Sequence, residues 1–181
     1  MSVVTCNDLP TYVVDDCPTF KLTGISAIAV LKFDIADDIS DYTNATQWNT
    51  AITNGNATII GGESAFKGIY TPNEITVSNP GACGAENILQ GFAHELQVTD
   101  AVVSSTNDTF YEGLNKFKGY IALYYCNEDE IRVFDQDTVN FAIMPPANPD
   151  GKEIQRYSGM VRWETDLDEF GTLYTAPVGI F

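Results

Sequence analysis

The sequence predicts a mainly β fold, in which one β-sandwich or barrel domain carries two short helices and an extended arm at each end. Short β-branched or alternating stretches recur along the chain, and Gly, Pro or Asn bounds several of them. Only two stretches have helical spacing. The 181 residues contain no internal repeat and no low-complexity linker, so one domain is expected. The predicted boundaries are 1–22 for the N-terminal arm, 23–166 for the core and 167–181 for the C-terminal arm.

The strand pattern begins at residue 25. The run 25–34 is apolar and β-branched, which predicts a central strand covered on both faces. In 87–103 the side chains of Phe92, His94, Leu96 and Val98 alternate onto one face. In 154–164 one face is expected to hold Tyr157, Gly159, Val161 and Trp163. The other predicted strands are 56–61, 65–70, 73–78, 120–126, 130–135 and 138–143, and a turn is predicted at 79–81.

Two segments have the spacing of amphipathic helices. In 46–54, Trp48 and Ile52 stand four residues apart, and Asn54-Gly55 supplies a stop signal. In 106–118 the apolar face comprises Phe110, Leu114 and Phe117. Acidic residues come early and lysines late in this second segment, an order that suits the helix dipole.

Both ends of the chain carry apolar residues that would be costly to leave in water. We therefore expect the arms to pack, either on their own core or on a neighbouring subunit, as arms exchanged between subunits do. The candidate contacts in the two arms are Val3, Val4, Tyr12, Val13, Leu173, Tyr174, Ile180 and Phe181.

The charge balance is strongly acidic, with 25 Asp and Glu against nine Lys and Arg and a net charge of −16. Such a chain repels phosphate backbones, so direct binding of nucleic acid is not expected. Repulsion would suit a protein that lines a channel through which DNA passes. No apolar run approaches the ~20 residues that span a membrane, and the first residues do not resemble a signal peptide. We therefore expect synthesis in the cytoplasm without export by the general secretion route, and no membrane partner.

Four cysteines lie at positions 6, 17, 83 and 126, without any C-x-x-C pair or zinc-module spacing. Buried free thiols are one interpretation, since Cys is among the most buried residue types. The alternative is a bridge between Cys6 and Cys17 that clamps the N-terminal arm.

The search for catalytic groups finds no active site. His94 is the single histidine, so a two-histidine metal site cannot form, and no G-x-S-x-G elbow presents a nucleophile. A core or interface histidine is predicted. The acidic clusters are expected to be solvated, although a carboxylate-based hydrolase that uses Glu164 and Asp166, or loose calcium binding, remains an alternative. The clusters are Glu128, Asp129, Glu130 and Glu164, Asp166, Asp168, Glu169. No catalytic residue, metal ligand or cofactor is predicted.

The aromatic residues offer a further alternative of a different class. A sugar-binding platform would need several of them exposed on one face of the sheet, whereas strand spacing more often places them in a core. The candidates for this platform are Tyr120, Tyr124, Tyr125, Tyr157 and Trp163. A carbohydrate- or surface-binding β-sandwich module is therefore the second functional hypothesis.

The chain as a whole resembles a virion structural protein of a tailed bacteriophage. The features are Met1, the acidic Asn- and Thr-rich β domain, the helical stretch 107–118 between strands, and the apolar tail ending in Gly179-Ile180-Phe181. Over 23–166 the layout is similar to tail-tube proteins. That resemblance implies a small β-sandwich or barrel with a flanking helix, assembled into stacked hexameric rings around an acidic DNA channel.

The resemblance carries over no functional residue. It implies a non-enzymatic subunit, made in the host cytoplasm, whose partners are copies of itself and other virion proteins. A capsid decoration protein or a connector-ring protein would share the same acidic β domain with arms, and both remain alternatives.

Overall fold

The computed structural model describes residues 24–33, 39–61, 66–79, 86–125, 129–146, 154–167 and 169–181. It is mainly β with two helices, which confirms the predicted fold class. The elements in chain order are β1 (Ile25–Leu31), α1 (Ala45–Thr53), β2 (Ala57–Gly61), β3 (Phe66–Asn79), β4 (Glu86–Asp100), α2 (Ser105–Leu114), β5 (Lys118–Tyr125), β6 (Glu130–Met144), β7 (Tyr157–Asp166) and β8 (Thr172–Thr175).

The described strands form a closed antiparallel barrel with two additional strands. Around the barrel the order is β1, β3, β4, β7, β6 and β5, and β5 pairs again with β1. Ile25 at the start of β1 pairs with Gly68 of β3 on one side and with Tyr125 of β5 on the other. Of the additional strands, β2 pairs with β1 and β8 pairs with β6.

Strand β1 contributes to two hydrophobic cores because its alternate side chains point to opposite faces. Ile28 and Val30 belong to the core inside the barrel. Ala27 and Ala29 belong to a second core on the outside of the sheet. A strand that is covered on both faces is what the apolar run at 25–34 predicts, so that prediction is confirmed.

The second core is built from α1, the segment before it and the end of the chain. Trp48 is completely buried there, and its indole Nε1 donates a hydrogen bond to the carbonyl of Tyr42 at 2.9 Å. The predicted helical face is wrong in one member, since Ile52 is 37% exposed and Ala51 is buried instead. Residues three and four positions apart both lie near one helix face. In this helix Trp48 and Ala51, three positions apart, face the sheet, and Ile52 does not.

Helix α2 closes one end of the barrel, which we call the helix end. Tyr111 and Leu114 are buried in the barrel core, and Phe110 and Phe117 pack against it. The lysine pattern predicted that this helix would end at 118, whereas it ends at Leu114. The cap residue Asn115 is tied to β6, since its side chain accepts from the amide of Ile143 and donates to its carbonyl.

Two pairs of predicted strands are single strands in the structure. The segments 65–70 and 73–78 join through Pro72 into β3, and 130–135 and 138–143 join into β6. Proline interrupts a strand where its missing N–H is needed by a neighbour. After Gly68, β3 pairs only with β4 in the described residues, so Pro72 can direct its nitrogen to the unpaired edge.

Several predictions fall outside the described residues. These are the N-terminal arm 1–22 with Val3, Val4, Tyr12 and Val13, the four cysteines, and most of the turn at 79–81. At the other end of the chain, residues 172–175 form β8, and Tyr174, Ile180 and Phe181 pack against the second core.

Candidate functional site

The end of the barrel opposite α2, which we call the hairpin end, contains a cavity of about 500 Å³. Strand β1 begins there, and β3 and β4 continue beyond it as a hairpin. The volume lies within the range of small-molecule sites in proteins. The lining residues are predominantly apolar and aromatic, with one guanidinium: Ile25, Ile69, Tyr70, Pro72, Phe92, His94, Tyr125, Arg132 and Phe170.

Two of the lining residues, Tyr70 and His94, belong to a cluster of four rings in the barrel core. The cluster comprises Tyr70, His94, Phe134 and Trp163, and we call it the aromatic box. The rings of His94 and Trp163 are nearly parallel with centroids 5.1 Å apart, and Tyr70 lies nearly parallel to His94 at 5.8 Å. Phe134 is inclined to the other rings at 5.0 Å from Trp163. Ring pairs at these separations stabilise a core beyond their area burial, so the aromatic box is a well-packed part of the barrel core that borders the cavity.

His94 is held in the aromatic box through both ring nitrogens. Its Nδ1 lies 2.6 Å from the Tyr70 hydroxyl and its Nε2 lies 2.8 Å from the Thr165 hydroxyl. Burial, with a further contribution from the positive charge of Arg132, lowers the pKa of His94 to about 4. The imidazole is therefore neutral at physiological pH, with one nitrogen donating and the other accepting. At 2% exposure, it confirms the predicted core histidine.

Arg132 provides the positive charge of the cavity. Its Nη1 donates to the carbonyl oxygens of Phe170 at 2.9 Å and Gly171 at 3.3 Å. The Phe170 ring in turn packs on Phe92 with centroids 5.2 Å apart. Among the described side chains, the ion pairs are Lys116–Glu112 and Arg162–Glu95, and no carboxylate pairs with Arg132.

The arrangement is suited to binding rather than to acid–base or nucleophilic catalysis. His94 has both nitrogens engaged, and its low pKa opposes protonation. The Thr165 hydroxyl is buried beside it and does not line the cavity. A catalytic pair would have to present one of these groups to a substrate.

The two acidic residues suggested as hydrolase candidates do not share a pocket. Glu164 lines an open pocket of about 790 Å³ together with Glu95 and Arg162, and Asp166 does not line it. Glu164 and Asp166 are exposed side chains of β7, and neither lines the cavity at the hairpin end. Asp129 is exposed as well, and Glu128 and Asp168 lie outside the described residues. Across the part of the chain that the structure describes, no group of three or more potential metal ligands is found.

The aromatic residues considered for a sugar platform are divided between the two cores. Tyr157 and Trp163 are buried in the barrel core, and Tyr124 is buried in the second core. Tyr120 and Tyr125 are only partly buried. The exposed platform near Tyr157 or Trp163 is therefore not formed, because the inward face of each strand buries these rings.

Three of the four predicted contacts in the C-terminal arm, Tyr174, Ile180 and Phe181, pack against the second core of their own chain. Phe181 contacts the rings of Trp48 at 5.3 Å and Tyr124 at 4.9 Å. Tyr174 lies 5.2 Å from Tyr42, whereas Leu173 is 41% exposed. The alternatives for this arm were packing on its own core and packing on a neighbouring subunit. The contacts seen in the single chain are with its own core.

The most distinctive surface feature was not predicted as such from the sequence. The β3–β4 hairpin continues beyond the last residue that pairs with β7, Gly91, for four further register pairs, from Thr76–Leu89 to Asn79–Glu86. We call 76–79 with 86–89 the ribbon. Along β3 the residues that precede it, 71–74, are exposed. The signal available in the sequence was that only Thr71 and Pro72 separate the predicted strands 65–70 and 73–78, and the proline argued against one continuous strand.

No protein-family model matches the chain, and no curated protein is significantly similar to it. No helix in the described segments is long and apolar enough to cross a lipid bilayer.

Proposed function

We propose that this chain is a non-enzymatic structural subunit that assembles with copies of itself into a ring or tube. The observation that carries the proposal is the ribbon at the hairpin end. In the described residues it has two strands and is not flanked by a third. A two-stranded ribbon is marginally stable in water unless it packs on something else. A neighbouring subunit provides that packing.

The edge of β3 supports the same proposal. Beyond Gly68 its outer side has no strand partner in the described part of the chain, and Ile69 is 65% exposed there. Unpaired strand edges are templates for pairing with another chain. A contact between this edge and a different surface of a second copy is head-to-tail, and such contacts generate rings when the rotation closes.

The finer proposal is a tail-tube-like subunit of a bacteriophage particle. The acidic charge of −16 per copy supports it, because a ring of such subunits would discourage DNA from adhering to its channel. Its localisation would be the virion, and its further partners other virion proteins. A capsid decoration protein and a connector ring share these features and are separated from a tube by symmetry and lumen width.

Electron microscopy of the purified protein, together with light scattering at several concentrations, tests the proposal. We expect rings or short tubes whose mass rises with protein concentration. A strict monomer at high concentration, with the ribbon cleaved rapidly by protease, would contradict self-assembly.

A matched pair of variants locates the contact. Ile69→Lys places a charge beside the unpaired edge and is expected to abolish assembly. Val178→Lys introduces the same charge at a residue of the C-terminal segment that is 95% exposed. This variant is expected to assemble normally. Equal loss of assembly in both variants would assign the effect to charge alone and remove the edge from the proposal.

A further inference from the structure

We infer that the cavity at the hairpin end binds a small organic anion with an aromatic or branched apolar body. This inference does not depend on self-assembly, since the cavity is formed within one chain. It rests on three features of the cavity: its lining, its charge and the hydrogen bonds that hold Arg132 in place.

The lining determines the body of the ligand. Phe92 and Phe170 pack against one another along one side, and Ile25 and Tyr70 contribute to the remainder. Phe170 is 59% exposed. An apolar ligand of drug-fragment size would cover this surface, and burial of apolar area is the main favourable contribution to such binding.

The charge determines the head group. One nitrogen of Arg132 donates to the carbonyl oxygens of Phe170 and Gly171. These two oxygens are the acceptors of its guanidinium among the described residues. A guanidinium has five N–H donors and matches a carboxylate in a two-bond geometry. In a chain with 25 acidic residues, an arginine without a described carboxylate partner in an apolar cavity is complementary to an external anion.

The segment before β8 fixes the position of the charge. The carbonyl oxygens that hold Arg132 belong to the turn before β8, where Gly171 adopts a positive φ of +69° and lies against the Phe134 ring. A side chain at position 171 would collide with that ring. His94, which also lines the cavity, is neutral at physiological pH and adds no competing positive charge. The guanidinium is therefore preorganised, which reduces the entropic cost of binding.

Isothermal titration of the full chain with 4-phenylbutyrate tests the inference, with the uncharged 4-phenylbutyramide as the matched ligand. We expect one site per chain with a Kd of ~1 mM or tighter for the acid. The amide is expected to bind at least about tenfold more weakly, since it lacks the charge that Arg132 pairs with.

Two arginine variants provide the matched control. Arg132→Gln is expected to weaken binding of the acid about tenfold or more, and to bring acid and amide to similar affinities. Arg162→Gln removes an arginine of β7 that is paired with Glu95 of β4, outside the cavity, and is expected to bind as the wild type. Phe170→Ala, at an exposed position on the rim, is expected to weaken both ligands alike and keeps the test valid if Arg132→Gln unfolds. Absence of binding by the wild type, or binding that neither Arg132→Gln nor Phe170→Ala alters, would overturn the inference.

Discussion

The two ends of the barrel satisfy their polar groups in different ways. At the helix end, the Tyr111 hydroxyl donates to the buried carboxylate of Asp100 at 2.7 Å, and the Tyr157 hydroxyl donates to Asp108 at 2.8 Å. Asn115 then joins α2 to β6 through two further hydrogen bonds. Each of these groups finds its partner within the chain, and a helix covers the opening.

The hairpin end is less complete. It has the cavity, an arginine without a described carboxylate partner, the exposed Ile69 and Phe170, and a ribbon that extends beyond the barrel. Unpaired edges and exposed apolar groups mark surfaces that contact something else. Exposed apolar side chains also occur at the helix end, at Met144 and Ile154, so the unpaired edge, the ribbon and Arg132 are what distinguish the hairpin end. We therefore expect the hairpin end to carry the contacts with other molecules that we propose.

The largest effect that would test this division is acid destabilisation through His94. In the folded chain its pKa is lowered to about 4, whereas an unfolded histidine titrates near its ordinary pKa of 6.5. Between these values the unfolded state binds more protons. Stability is therefore retained above about pH 6.5 and falls as the pH decreases toward 4, by up to about 3 kcal/mol.

The variant His94→Gln isolates this contribution from the titration of the carboxylates. Denaturant unfolding of both proteins at pH 7 and pH 4.5 should show the stability difference between them shrinking at the lower pH. Parallel behaviour of the two proteins would place the acid sensitivity elsewhere in the molecule.

A pair of tyrosine substitutions compares the two ends directly. Tyr111→Phe leaves a buried carboxylate oxygen of Asp100 without its donor and is expected to cost about 1–3 kcal/mol. Tyr70→Phe makes the same change at the hairpin end, where the partner is a neutral ring nitrogen of His94. The expected cost is smaller, about 1 kcal/mol, because hydrogen bonds between two neutral groups are weaker than those to a charged group. Urea unfolding at pH 7 measures both, and a larger loss for Tyr70→Phe would reverse the comparison.

The smallest expected effect is a gain at the helix end. Gly113 lies within α2, and a Cβ built there meets no atom within 4 Å. Gly113→Ala should therefore stabilise the protein by about 0.5–1 kcal/mol through better helix propensity. A rise in the thermal midpoint with unchanged assembly would support the division, whereas altered assembly would give α2 a role in subunit contacts.

Much of the barrel could be predicted from the sequence because it depends on local alternation. The inward residues Leu96 and Val98 of β4 and Val161 and Trp163 of β7 follow from a period of two. The run in β1 likewise indicates a strand covered on both faces. The central position of His94 follows from the same alternation. The end of α2 does not follow from local spacing. The helix ends at Leu114, four residues before the predicted limit at 118, because Asn115 caps it and bonds through its side chain to Ile143 of β6.

By itself, the sequence determined the β class, the inward faces of β4 and β7, the two helices and the acidic charge, since each depends on residue type or on local spacing. Tertiary structure alone decided which residues from distant parts of the chain meet. It closed β5 onto β1, continued β3 through Pro72 at an unpaired edge, and brought Arg132 beside Phe92 and Phe170. The physical reason is that strand pairing joins residues separated by many positions in the sequence. The local periodicity of one strand does not indicate which other strand it pairs with.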